Sequence, residues 1–216
     1  MANKTDAGNG SKAICRVSHV LRSPSPDPGR SPKAPSPMTT EQAIQCYRVA
    51  DENLDGCSCF AITPRLIRPG QYGPLTDAHL ELITALDGGF ADAVPAENSF
   101  TVYRGAPSEF VNIVRASADG VYPSFVSTSR QIGEAVRFLP PFRPKSALLR
   151  ISCPVGTRFL DVSGVGIGTL EQAEVLLPRA SRFTVTAWTP TDLTESERLL
   201  VEMCPADEYF HLDLII

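Results

Sequence analysis

The hydrophobic texture of this chain changes once, near residue 100, and that change constrains the fold more than any single motif. Before it the apolar residues keep helical spacing. Thr39-Thr40-Glu41-Gln42 has the form of a capping box, and Ala43, Ile44, Tyr47, Ala50 and Leu54 follow on one helical face up to Gly56. Thr76 reads as the N-cap of a second helix, with Leu75 and Leu80 placed for a hydrophobic staple. Leu82, Ile83 and Leu86 fall on its buried side, and Gly88-Gly89 reads as its stop. After the change the chain breaks into short runs of β-forming residues, at 100–103, 125–127, 147–151, 158–161, 174–177, 182–188 and 209–216, separated by turn residues. One brief helix is expected among them, over 130–139, with Ile132, Ala135, Val136 and Leu139 on one face. Helices first and strands afterwards predict an α+β domain built on a strongly twisted mixed or antiparallel sheet.

The first 38 residues stand apart. Between positions 24 and 37 there are six prolines, a composition that cannot bury enough apolar surface to offset chain entropy. Residues 1–40 carry six Lys or Arg against two Asp, whereas the whole chain is at −4, so the remainder is acidic. An acidic body disfavours nucleic acid as its partner. The expected organisation is a disordered leader over 1–38 and one domain over 39–216. No apolar run approaches the ~20 residues of a membrane span, and the first twenty residues lack the apolar centre of a secretory signal peptide. With no such signal, the six cysteines are expected to be reduced. Only Cys57 and Cys59 are close together and the three histidines are scattered, so no metal site is expected.

Phosphate-binding GxxxxGK[ST], GxSxG and HExxH are all absent. The glycines at 164, 166 and 168 lack dinucleotide-fingerprint spacing and read as a loop. Three other pieces form an ordered set. Thr101-Val-Tyr-Arg104-Gly105 places an arginine on an apolar strand. Phe125-Val-Ser127-Thr128-Ser129 is a strand ending in hydroxyls, and Glu171-Gln172-Ala-Glu174-Val-Leu-Leu-Pro178 sets an acid at the mouth of an apolar strand. Each alone is commonplace. In this order and with these flanks, they resemble the mono-ADP-ribosyltransferases of the arginine-serine-glutamate class. The resemblance spans about residues 60–216. It includes residues 62–68 as a helical lead-in, Ala135 and Phe138 as an AxxF on the helix after Ser129, and Arg143 in the loop that would face phosphate and nicotinamide.

The resemblance implies a split, twisted sheet core of the ADP-ribosyltransferase kind with a helical lead-in, NAD as substrate and no metal. Arg104, Ser127 and Glu174 are the implied catalytic residues, and Arg104, Gly105, Ser127, Thr128, Phe138 and Arg143 the implied NAD-binding ones. Loss of nicotinamide leaves an oxocarbenium-like ribose, which a carboxylate can stabilise; Glu174 fits that task, with Ser127 orienting it. Arg104 offers a guanidinium fork for the diphosphate or ribose, and Gly105 a close backbone approach. Phe138 is either a nicotinamide contact or a core residue of its helix, and Arg143 either a phosphate clamp or an exposed loop arginine. Gln172 stands where arginine-modifying members carry glutamate, a Gln-x-Glu pattern similar to that of Rho-modifying exoenzymes. It points acceptor recognition away from arginine, toward an amide or a thiol. The implied whole is a bacterial effector secreted into a host cell, with a host protein as acceptor and the leader available to a secretion chaperone. An NAD glycohydrolase and a non-catalytic module on the same fold are the alternatives.

Overall fold

The computed structural model describes residues 36–48, 58–139, 145–165 and 173–216. The leader, the end of the first expected helix at Ala50 and Leu54, and Arg143, Glu171 and Gln172 lie outside the described residues. Three helices come first: α1 (Thr40–Arg48), α2 (Cys59–Ile67) and α3 (Asp77–Asp92). The capping box ahead of α1 forms, with the Gln42 amide N–H donating to Thr39 Oγ1 and the Thr39 N–H to the Gln42 side chain. Thr76 caps α3 with an unusual N3 partner: the Thr76 N–H donates to His79 Nδ1, which assigns this wholly buried histidine to a cap rather than to chemistry.

Gly88-Gly89 does not end α3, which runs on to Asp92. A Cβ on Gly89 would lie 2.3 Å from Thr40 Cγ2, so this glycine exists for the close approach of α1. Ala43, Ile44 and Tyr47 of α1 and Leu82, Ile83, Leu86 and Phe90 of α3 bury together against Phe125 and Leu176 of the sheet layer.

The sheet has eight strands among the described residues, β1 (Phe100–Pro107), β2 (Val121–Tyr122), β3 (Val126–Ser129), β4 (Ser146–Cys153), β5 (Leu160–Asp161), β6 (Glu174–Leu177), β7 (Ser181–Ala187) and β8 (Glu208–Ile215). Their order is β2-β7-β8-β4-β1-β3-β6-β5, antiparallel throughout except for β4 beside β8. β1 and β4 pair along all eight residues, whereas β1 and β3 share the single position Tyr103 opposite Ser129. The sheet is therefore split at that join, as expected of this architecture.

Three helices accompany the strands rather than the one expected: α4 (Glu109–Ala116), α5 (Ile132–Arg137) and α6 (Glu195–Met203). α5 buries Ile132, Ala135 and Val136 as read from the spacing. α4 was unexpected because Phe110, Val111 and Val114 are β-forming types. Their placement three and four residues apart, with all three buried against the sheet, makes the segment helical. α6 carries a capping box from Thr194 to Glu197 but buries only Val201, so its periodicity is faint. Among the described residues no helix is long and apolar enough to cross a membrane.

Candidate active site

Glu174 opens β6 directly after Ala173. Ala173 sits in the left-handed region at φ 42°, a conformation that costs a non-glycine residue about 1–2 kcal/mol, and its carbonyl accepts from the Arg130 N–H at 3.0 Å. β6 then pairs with β3 so that Ser129 lies opposite Glu174 and Ser127 opposite Leu176. That register puts the Ser127 and Glu174 side chains diagonally on one face of the sheet, where the Ser127 hydroxyl favours the carboxylate form of Glu174.

Arg104, at the middle of β1, donates from Nη1 to the Ser127 carbonyl, which fixes the guanidinium beside β3. Its Cζ lies 5.5 Å from the centre of the Phe110 ring. Its Nε is buried and has no partner among the described residues, a donor still free for an acceptor. Arg104 also lines a cleft of about 230 Å³ between α2 and α4, with Thr63, Pro64, Tyr72, Phe110 and Tyr122. That volume is below the ~300–1,000 Å³ of ordinary small-molecule sites, so the cleft suits part of a dinucleotide. A larger hollow, of about 430 Å³, lies between the start of α1 and the face of α3 from Glu81 to Asp92 and contains none of the candidate residues.

One residue of the site has no counterpart in the sequence reading. Arg48, the last residue of α1, places Nε 2.7 Å from Glu174 Oε2, with side-chain exposures of only 10% and 18% for the pair. Burial pushes the Glu174 carboxyl above the ordinary carboxylate range. Arg48, the Ser127 hydroxyl and Arg104 pull it back without cancelling that rise. A cation in a helix's last turn is usually a partner of the helix dipole, and nothing in the local sequence distinguishes Arg48 from that role.

Two of the implied NAD-binding residues, Thr128 and Gly105, are in contact with the protein itself. The Thr128 hydroxyl is buried and donates to the Val175 carbonyl at 2.7 Å, so it clamps β3 to β6. A Cβ on Gly105 would meet the Ala135 carbonyl oxygen at 2.1 Å and the Leu139 nitrogen at 2.8 Å. The close approach at Gly105 is thus made by the backbone of α5 and its exit. Gly105→Ala is expected to lose about 1–3 kcal/mol of stability in a denaturant melt, because helix backbone cannot step aside as a side-chain tip can. An unchanged midpoint would contradict that packing. Phe138 is 65% exposed just past α5, which removes its reading as a core residue.

Ser152, His211 and Asp213 come together on β4 and β8, but both contacts, at 3.2 and 3.0 Å, fall on His211 Nε2. A nucleophilic relay uses both ring nitrogens, so this trio is not one. The described cysteines, Cys46, Cys59, Cys153 and Cys204, are free thiols. Among the described residues no three His, Cys, Asp or Glu side chains group to hold a metal.

An eight-stranded split sheet with an arginine strand, a Ser-Thr-Ser strand and an acid-led strand meeting at the join defines an ADP-ribosyltransferase-type fold. The family model for ADP-ribosyltransferase exoenzymes matches residues 68–205, more than half of the chain, and the protein belongs to that family. Its chemistry is accordingly NAD-dependent ADP-ribosyl transfer. No curated protein sequence matches the chain, so further likeness is one of fold. Plx2a, an ADP-ribosyltransferase toxin from Paenibacillus larvae, is 14% identical with a TM-score of 0.53, over 82% of this chain and 86% of that one. C3stau2 from S. aureus, solved with NAD, is 15% identical with a TM-score of 0.54, over 82% and 86%. Exoenzyme S from Pseudomonas aeruginosa, solved with human 14-3-3 protein beta and carba-NAD, is 16% identical with a TM-score of 0.53, over 81% and 72%.

Proposed function

We propose that this protein is a secreted bacterial effector of the arginine-serine-glutamate class that transfers ADP-ribose from NAD to a side chain of a host protein. The observation that carries the reading is that Ser127 and Glu174 share one face of adjoining strands at the split of the sheet, with the Arg104 guanidinium bonded to the Ser127 carbonyl beside them. In the reaction the bond between ribose C1′ and the nicotinamide nitrogen breaks, and nicotinamide leaves with the electron pair. Glu174 holds the ribose 2′-hydroxyl and faces the positive charge that develops on the sugar. Ser127 orients that carboxylate. Arg104, which lines the adjoining cleft, meets the diphosphate or ribose. The acceptor atom then bonds to C1′ and gives up its proton.

Phe138, exposed beside this region, is the aromatic surface for nicotinamide, and Arg143 the phosphate contact from its loop. Gln172, two residues before Glu174, selects an amide acceptor, since its own amide both donates and accepts. Residues 1–38 serve as the secretion leader and contact a chaperone, and the domain acts in the host cytosol. The likeness of fold to toxins such as Plx2a supports the effector reading.

The test is a eukaryotic lysate incubated with the full chain and isotope-labelled NAD, followed by mass spectrometry. ADP-ribose on an asparagine or glutamine side chain of a host protein is the expected result. Modification of arginine would overturn the amide reading, and labelled ADP-ribose found only free in solution would make the protein a glycohydrolase.

A further inference from the structure

We infer that Arg48 is a positioning residue, which holds the Glu174 carboxylate in place as an anion and locks it to the end of β5. The inference rests on the proposed catalytic role of Glu174 and adds to it a residue from outside the three strand motifs. Three contacts close a ring. Arg48 Nε meets Glu174 Oε2 at 2.7 Å, Arg48 Nη1 donates to the Val162 carbonyl at 2.9 Å, and the Val162 N–H donates to the Glu174 carbonyl at 3.1 Å. Nη1 also donates to the Val165 carbonyl, one residue before the segment 166–172 that leads into Ala173 and Glu174. One guanidinium thus ties α1, the end of β5 and the catalytic carboxylate together.

The chemistry of the fork matters here. A guanidinium carries several donors in a rigid plane, so it can serve a carboxylate and two carbonyls at once, whereas an ammonium supplies the charge without that geometry. The carboxylate accepts about four hydrogen bonds, so the pair to Oε2 leaves room for Ser127 and for a substrate hydroxyl.

Among the described residues, the charged and titratable groups that face Glu174 are few. They are Arg48 from α1, Arg104 from β1 and the Cys59 thiol from α2, which burial pushes up and so keeps neutral; β3 adds the Ser127 hydroxyl. Burial works against the anion, and Arg48 is the largest of the groups opposing it. An alternative is that Arg48 plugs the site and must leave before NAD binds. Its anchoring by two carbonyls argues for a fixed support instead.

Two measurements on the full chain decide the matter, one of them independent of catalysis. In ¹³C-glutamate-labelled protein without NAD, the Glu174 carboxyl resonance, assigned by its loss in Glu174→Gln, is titrated in wild type, Arg48→Gln and Arg48→Lys. The midpoint should rise in Arg48→Gln and stay at the wild-type position in Arg48→Lys. Nicotinamide release from NAD is then followed across pH. In Arg48→Gln its acid limb should move to higher pH, with a loss of about tenfold or more near neutrality, smaller than the ~10²–10³ of a direct transition-state donor. An unmoved midpoint in Arg48→Gln overturns the proposal, as does release that is equal or faster at every pH, which is the behaviour of a plug. Arg48→Lys guards against a glutamine variant that does not fold, because a raised midpoint in the lysine variant overturns the proposal equally. If wild type releases no nicotinamide, the catalytic reading of Glu174 fails while the titration still judges the role of Arg48.

Discussion

Glu174→Gln should lower nicotinamide release from NAD and ADP-ribose transfer together, by about 100-fold or more, while the protein melts within a few degrees of wild type. The size of the loss follows from where the charge acts. A preorganised carboxylate beside a developing oxocarbenium ion stabilises the transition state far more than the ground state, and removing one such group typically costs 10²–10³ in rate. The amide keeps the shape and one accepting oxygen, which can still face Arg48, while it loses the charge and exchanges the second acceptor for an NH2 donor. The small effect on folding follows from the same burial. The site desolvates Glu174 enough to push its carboxyl upward despite two neighbouring arginines, so a neutral group there forfeits little. Arg48 keeps its carbonyl partners at Val162 and Val165 when the carboxylate is gone. Parallel assays of nicotinamide release and thermal melting check both halves, and wild-type turnover in a folded variant would refute the assignment of the site.

The parts of this molecule that were legible beforehand are those whose signal is local. β6 begins and ends where the apolar run after Glu174 does, and the capping box at Thr39 and the N-cap at Thr76 fix the starts of α1 and α3. The buried face of α5 follows from its spacing. What was not legible depends on contacts between distant segments. Gly88-Gly89 has the composition of a helix stop, yet Gly89 lies within α3 because α1 presses on it through Thr40. Gly105 similarly answers to the backbone of α5. Arg48 is the clearest case: an arginine ending an amphipathic helix is ordinary, and its meeting with Glu174 exists only once α1 and α3 have packed on Phe125 and Leu176. The motif strands carry the groups proposed to react, while a helix ahead of them brings Arg48 to Glu174.

That dependence makes Phe125 the side chain whose truncation should cost the fold most, and the active site with it. Phe125 is 1% exposed, and its ring lies 5.7 Å from that of Tyr47 in an edge-on arrangement and 5.9 Å from that of Phe90 in a stacked one. It therefore joins α1 and α3 to the start of β3, two residues before Ser127. Phe125→Ala removes a ring that cannot be replaced by collapse of two helices and a strand, and a loss of about 3–5 kcal/mol is expected from urea unfolding. Tyr47 precedes Arg48, so loosening α1 should also release the guanidinium from Glu174. Leu212→Ala, at a wholly buried position of β8 in the other core cluster, is the control, with a loss of about 2–5 kcal/mol but no link to α1. At a temperature where both variants remain folded, Phe125→Ala should release nicotinamide several-fold more slowly than Leu212→Ala. Equal rates in the two would show that α1 merely covers the sheet, and that the catalytic geometry is set by the strands alone.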